Sequence, residues 1–377
     1  MENYNEYRRS SRAVRVGREG TAALTVGGIA PVSVQTMLNV PTDDLGACLS
    51  QALRLQTAGA QIIRVTVPTP ANAAVFSYLH EHGVTVPLVA DIHFDYRAAL
   101  ESVAAGADKI RINPGNIGDD ERVRAVAEAC RGAGVPIRIG VNGGSLEHSI
   151  LAKYGAPTSE ALCESALYHA SLLEKFDFSD IVISVKSSNA RTMIGAYRIL
   201  AERTEYPLHL GVTEAGTRMR GTVKNAVGIG SLLCDGIGDT IRVSLTSDPE
   251  DEVLEGIRLL DLLGLRESGI ELVSCPTCGR TRVDLISLAD EFERRIVGIK
   301  PSRRLKVAVM GCAVNGPGEA READLGIAGG KSRRVNTVGH YGKRRFAVQH
   351  LPGFLAAGEA VGQAKAEKAA HDAVQLA

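Results

Sequence analysis

An α/β fold is predicted for this 377-residue chain, a (β/α)8 TIM-type barrel followed by a smaller α+β domain, and three observations predict it. Short β-branched runs recur eight times between residues 32 and 245. Each is followed by a stretch with apolar residues at helical spacing. After about residue 265 that rhythm stops.

The runs are "VSVQTML" (32–38), "QIIRVTV" (61–67), "PLVADI" (87–92), "KIRINPG" (109–115), "PIRIGVN" (136–142), "DIVISVK" (180–186), "PLHLGVT" (207–213) and "TIRVSL" (240–245). Between them, "DDLGACLSQALRLQTAGA" and "DDERVRAVAEACRGAG" begin with acids and end with glycine, as helix capping predicts. Strand–helix alternation implies parallel pairing, and eight such units in roughly 250 residues match a closed barrel. An open doubly wound sheet would carry a glycine-rich phosphate turn after its first strand, and "MLNVPTDD" offers none. In the last unit, "SDPEDEVLEGIRLLDLLGL", Ser247 or Asp248 can cap a helix and Pro249 suits its first turn.

Beyond this lie a Cys-x-x-Cys loop, one helix in "DLISLADEFERRIVG", a strand in "LKVAVMG" and basic, glycine-rich strand-like pieces to about residue 350. The expected division is therefore 1–264 for the barrel, 265–355 for the α+β domain, and 356–377 as an Ala-rich C-terminal helix or tail.

Composition narrows the function. Hydrophobic residues make up 45% and charged residues 23%, and the formal charges cancel, so no overall attraction to nucleic acid or membrane is expected. The basic stretch "KSRRVNTVGHYGKRRF" holds few aromatics for base stacking and reads as a solvated strand edge. With neither a signal peptide nor an apolar run of bilayer-spanning length, the protein is expected to be cytoplasmic. In that reducing compartment cysteines serve packing or metal binding. Cys48, Cys130, Cys163 and Cys234 lie singly in helical segments and are assigned to packing.

Chemistry in a (β/α)8 barrel gathers where the strands end. Arg64, Arg111, Arg138, Lys186 and Arg242 each place a cation in or at the end of a strand that otherwise reads apolar. One such arginine can lie outward with its stem under a helix. Five together point inward, where unpaired cations would cost several kcal/mol each unless a strongly anionic ligand such as a diphosphate neutralises them. Asn113, Asn116, Asn142, Ser145, Thr213 and Ser244 supply neutral hydrogen-bonding groups nearby. Asp91, His93, His209 and Glu214 are the acid–base candidates. Asp91 also counts among the substrate-contacting residues, His209 reads as a satisfied core histidine, and Glu214 is the favoured catalytic acid.

Cys275 and Cys278 in "SCPTCGR" can reach one metal from a single tight loop, and Cys312 in "GCAVNGPGEA" is the only later cysteine. Structural zinc would want a fourth Cys or His, and His340 and His350 lack a paired spacing. Three thiolates suit an iron–sulfur cubane with one iron left open. Gly316, Pro317 and Gly318 form a sharp turn that can fold Glu319 back as a harder, exchangeable fourth ligand, although an acid there can equally cap a helix.

Together "RVTVP", "ADIHF", "KIRINPGN", "RIGVNGGSL", "SVKSS", "HLGVTEAG", "GIGDTIRVSL", "SCPTCGR" and "GCAVNGPGEA" resemble, in order and over nearly the whole chain, the bacterial 4-hydroxy-3-methylbut-2-enyl diphosphate synthase family of the non-mevalonate isoprenoid pathway. The resemblance implies reductive ring opening and dehydroxylation of 2-C-methyl-D-erythritol 2,4-cyclodiphosphate, with electrons from reduced ferredoxin or flavodoxin. It implies a [4Fe–4S] cluster on Cys275, Cys278, Cys312 and Glu319. It places the diphosphate grip on Arg64, Arg111, Arg138, Lys186 and Arg242, with Asn113, Asn142, Thr213 and Ser244 beside them. It further implies a homodimer in which one subunit's cluster domain covers the other's barrel mouth. The large domain inserted in some members is missing between "LLGLRESGI" and the cysteine motif, which makes this the two-domain form. An alternative from the residues alone is a barrel aldolase or condensing enzyme with Lys186 as Schiff-base former and a structural zinc.

Overall fold

In the computed structural model, which describes residues 4–266, 269–281, 284–296, 299, 301, 303–312, 323–329, 335–341 and 344–348, residues along each barrel strand alternate between two environments. The chain folds as two units, 1–265 and 266–377.

In the first unit, β1 (Val14–Val16) and β2 (Leu24–Val26) form an antiparallel hairpin. Eight parallel strands follow: β3 (Ser33–Met37), β4 (Ile62–Thr66), β5 (Leu88–Asp91), β6 (Lys109–Ile112), β7 (Ile137–Asn142), β8 (Ile181–Lys186), β9 (His209–Leu210) and β10 (Thr240–Ile241). Their order is β8, β7, β6, β5, β4, β3, β10, β9, and a parallel bridge between Ile183 and Leu208 closes the ring. The strands are shorter than the sequence runs, most of all β9 and β10. Each of those two pairs over two residues only.

Successive strand side chains point to opposite faces. Ile63, Val65, Leu88, Ala90, Ile110, Ile112, Ile137, Ile139, Ile181 and Ile183 face outward and belong to the large apolar cluster shared with the helices. Each fully buried aliphatic side chain of this kind contributes about 1.5–3 kcal/mol. The alternate positions face inward and, above an apolar base, are mostly polar, so the interior departs from the branched aliphatic layers that usually fill such barrels. At the base, Val14, Val16 and Val26 of the hairpin pack with Ile62, Val89 and Val182, the lowest inward residues of β4, β5 and β8. This apolar plug, unforeseen in the sequence, closes the end opposite the mouth.

The connecting helices form where the capping residues direct. Asp44 and Asp119 accept hydrogen bonds from Ala47 and Arg122 amides at the starts of Leu45–Ala58 and Asp120–Ala133, and left-handed Gly59 and Gly134 end them. Asp248 sits at the N-cap of the last barrel helix, Pro249–Leu262, without a side-chain cap hydrogen bond. Cys48, Cys130 and Cys163 are buried in the barrel's helical layer, but Cys234 ends the helix Arg218–Cys234 exposed, so its assignment to packing is corrected.

In the second unit β11 (Gly269–Ser274), β12 (Arg304–Met310), β13 (Leu325–Gly329), β14 (Val335–Tyr341) and β15 (Arg344–Val348) pair in that order. β11, β12 and β13 are parallel, and the last two pairings are antiparallel. The helix Leu285–Ile296 covers part of the connection between β11 and β12. Residues 356–377 lie outside the described residues, as do the side chains of the basic stretch 331–346.

Candidate active site

Inward alternation brings the five strand cations together. Arg64, Arg111, Arg138 and Lys186 are all buried, and Arg242 joins them just beyond β10. Their mutual field is evident at Lys186, whose ammonium is driven well below its ordinary range first by burial and then by Arg242, Arg138, Arg64 and Arg111. Arg138 is similarly depressed by burial, with Arg64 and Arg111 as like-charged neighbours. A guanidinium does not give up its proton in proteins, so an anion is what relieves this field.

The cations are not, however, all unpaired. Asp91 is wholly buried between two of them, with Arg111 Nη1 3.1 Å from Oδ1 and Arg64 Nη2 against Oδ2. Burial would raise its carboxyl, but Arg64 and Arg111 more than offset this and hold it well below the usual carboxylate range. Glu252, from the helix after β10, lies 3.1 Å from Arg242 and accepts the Leu245 amide at 2.9 Å. Three of the five therefore have counter-charges built into the barrel, which corrects the expectation that only a bound ligand could neutralise them. Among the described residues no carboxylate pairs with Arg138 or Lys186. Arg138 Nη1 donates to Ser184 Oγ at 2.6 Å, while its buried Nε and Nη2 have no hydrogen-bond partner among the described residues.

The neutral candidates divide. Asn113 is buried with both amide atoms unpartnered among the described residues, and Asn142 is the register partner of Lys186. Thr213 and Ser244 are half-buried at the mouth. Asn225 steadies the turn at Ser244 by donating to its carbonyl at 3.0 Å. Glu214 is exposed in the turn after β9 with φ +52°. A left-handed non-glycine residue costs about 1–3 kcal/mol and persists where the surroundings impose it, commonly at functional sites. His93 Nε2 lies 3.6 Å from Asp91 Oδ2. Both oxygens of Asp91 are engaged by the flanking arginines, which suits a counter-charge that orients them.

A second polar tier lies below the grip, and Lys109 in it was not singled out from the sequence. Lys109 and His209 are wholly buried, and among the described residues neither the lysine nitrogen nor either imidazole nitrogen has a hydrogen-bond partner. Burial and Arg138 bring the Lys109 ammonium down to about 7. His209 is driven well below its ordinary range by burial, then Arg138 and Lys186. It is a buried histidine as expected, but not a satisfied one. Glu252 was also missed, because one acid in a helix beginning "PEDE" looks like an ordinary first-turn acid.

The cysteines gather at one edge of the second sheet. β11 and β12 are parallel neighbours with Ser274 opposite Val309, so Cys275 and Cys312 leave the same end of the pair. The Gly311 amide donates to Cys275 Sγ at 3.3 Å. Cys278 is exposed, and the Arg280 backbone amide, followed by Thr281, draws its thiol below the ordinary range while Cys312 pushes it up. Backbone donors to sulfur are the outer contacts that thiolate-bound clusters use, so the donor set fits a soft metal centre. Among the described residues no three Cys, His, Asp or Glu groups stand close enough to enclose a metal ion. Glu319 lies outside the described residues.

Two family models match the chain: the GcpE TIM-barrel domain over residues 11–257 and the GcpE protein C-terminal domain over 271–351. The chain is 55% identical over 325 residues to a Clostridium perfringens protein, covering 86% of this chain and 90% of that one. It is 52% identical over 344 residues to one from Symbiobacterium thermophilum, with 91% of each covered. It is 55% identical over 328 residues to one from Caldanaerobacter subterraneus, covering 87% and 90%. All three relatives are named 4-hydroxy-3-methylbut-2-en-1-yl diphosphate synthase (flavodoxin). Lys186 has the depressed basicity a Schiff-base lysine would also need, but relatives at this identity favour the synthase over the aldolase alternative.

Proposed function

We propose how this chain, which belongs to the GcpE family, carries out the family's synthesis of 4-hydroxy-3-methylbut-2-en-1-yl diphosphate: the barrel grips the cyclic diphosphate and the cysteine edge delivers electrons to it. The reaction opens 2-C-methyl-D-erythritol 2,4-cyclodiphosphate at a carbon–oxygen bond and expels a hydroxyl as water. Two electrons and two protons enter. The observation that carries the assignment is the charge imbalance of the barrel interior: Asp91 and Glu252 pair with Arg64, Arg111 and Arg242, and among the described residues no carboxylate pairs with Arg138 or Lys186.

Arg138 and Lys186 bind the diphosphate oxygens directly, since among the described residues no carboxylate forms an ion pair with either. Arg64 and Arg111 are held in place by Asp91, and Arg242 by Glu252, so they meet the ligand already oriented. Asn113, Asn142, Thr213 and Ser244 complete the contacts. Glu214, set at the rim by its left-handed turn, is the residue we assign to orienting or protonating the departing hydroxyl.

Cys275, Cys278 and Cys312, with Glu319 as exchangeable fourth ligand, would hold a [4Fe–4S] cluster. When bound, such a cluster supplies single electrons and a Lewis-acidic iron. The relatives' names support flavodoxin, rather than ferredoxin, as the electron donor. Seven cysteines outside any disulfide suit the reducing cytoplasm, and a homodimer sharing each site between subunits follows from the family resemblance alone. No described helix is long and apolar enough to cross a membrane.

Anaerobic purification with iron, sulfide and zinc analysis tests the assignment. Brown protein with about four irons per chain supports the cluster, and colourless protein with stoichiometric zinc sinks it. In the same preparation Glu214→Gln is expected to keep the visible absorption and collapse turnover; undiminished turnover removes Glu214 from the chemistry.

A further inference from the structure

His169 belongs to none of the groups described so far. It lies on the helix Ser159–Glu174, between β7 and β8, and is wholly buried. Its ring touches two loops from the barrel mouth. The Gly115 amide, in the loop after β6, donates to His169 Nδ1 at 3.2 Å. Glu147 Oε1, in the loop after β7, lies against His169 Nε2.

These contacts give the two ring nitrogens different roles. Nδ1 accepts the Gly115 N–H, which leaves Nε2 as the nitrogen set against the carboxylate. Burial would raise the Glu147 carboxyl, but His169 and the Glu147 backbone amide hold it down at about 2. The ring also fills the space above Gly115, where an added Cβ would lie 2.6 Å from His169 Cε1. The loop after β6 begins at Asn113, and the loop after β7 follows directly on Asn142, the last residue of that strand. One imidazole therefore joins the two loops that adjoin the two asparagines.

Taking the barrel mouth as the diphosphate site, we propose that His169 is a positioning residue that pins the β6 and β7 loops to one helix and so holds Asn113 and Asn142 in register for the ligand. The two nitrogens can be tested separately, because the Asn amide oxygen stands near the place of Nδ1 and the Gln amide nitrogen near that of Nε2. His169→Asn keeps an acceptor for Gly115, His169→Gln keeps a donor for Glu147, and His169→Phe keeps neither.

The experiment is calorimetric titration of 2-C-methyl-D-erythritol 2,4-cyclodiphosphate into anaerobically purified full-length protein, paired with amide hydrogen exchange over 113–117 and 143–147. His169→Phe is expected to weaken binding by about tenfold or more and to speed exchange in both loops. His169→Asn should restore protection to the 113–117 loop alone, His169→Gln to the 143–147 loop alone, each with intermediate affinity. If the Phe variant does not fold, the Asn and Gln variants decide. Wild-type affinity and unchanged exchange in those two would overturn the positioning role while leaving the site assignment intact. Absence of binding by the wild type would overturn the site assignment, and the positioning role with it.

Discussion

Asp91 and Arg111 are register partners on adjacent strands and are joined side chain to side chain at 3.1 Å inside the barrel. Arg64 meets the other carboxylate oxygen. A single wholly buried carboxylate thus fixes two of the five cations before any ligand arrives, and that turns a repulsive cluster into an oriented one.

Replacing this carboxylate should be costly. Asp91→Asn leaves two buried guanidinium groups facing each other, and a loss of about 3–5 kcal/mol is expected in denaturant unfolding. The pH dependence has a definite sign. Asp91 is held below its unfolded range, near 3.9, so its contribution is complete above that value and is lost as pH falls through the folded range. The wild type should therefore lose stability below about pH 4 more steeply than Asp91→Asn. Parallel curves for the two proteins would show that the pairing does not stabilise the fold.

Gly140 lies on β7 directly beside this group. Its carbonyl accepts from Arg111 Nη2 at 3.0 Å, and an added Cβ would lie 2.3 Å from Arg111 Nε. Gly140→Ala must displace the guanidinium from Asp91. Overpacking of this kind costs about 1–3 kcal/mol, and affinity for the cyclic diphosphate should fall by about tenfold or more. Calorimetric binding together with thermal unfolding checks both, and native affinity in a folded variant would mean that Arg111 does not reach the ligand.

Lys109 titrates in the opposite sense. Its folded value of about 7 lies below its unfolded value near 10.4, so between those limits the unfolded chain binds more protons and stability rises with pH. Lys109→Met removes this slope and should stabilise the protein at neutral pH, by up to about 4 kcal/mol. The gap between variant and wild type should close toward pH 10. Unfolding curves between neutrality and pH 10 decide the matter; a variant less stable than wild type at pH 7 would show that Lys109 has a partner in the folded protein.

Much of this was legible in the sequence. Eight β-branched runs separated by capped amphipathic helices require local preference alone, and charged residues in otherwise apolar strands stand out without any partner being known. Arg64, Arg111, Arg138, Lys186 and Arg242 were visible for that reason. The hairpin that plugs the barrel was not, because "VRV" and "LTV" are three-residue strands with no periodicity to detect.

What the sequence by itself determined is the kind of group at each position and the repeat that places it on a strand or a helix, since both follow from residue chemistry over a few neighbours. Which groups face one another was decided only by closure of the barrel. Asp91 lies 27 positions from Arg64, and His169 lies 54 from Gly115. Pairings at that separation depend on strand register and on where the next helix returns, and neither is encoded in any short window of the chain. The two carboxylates that tame the cationic interior, and the histidine that ties its loops, exist as functional features only in three dimensions.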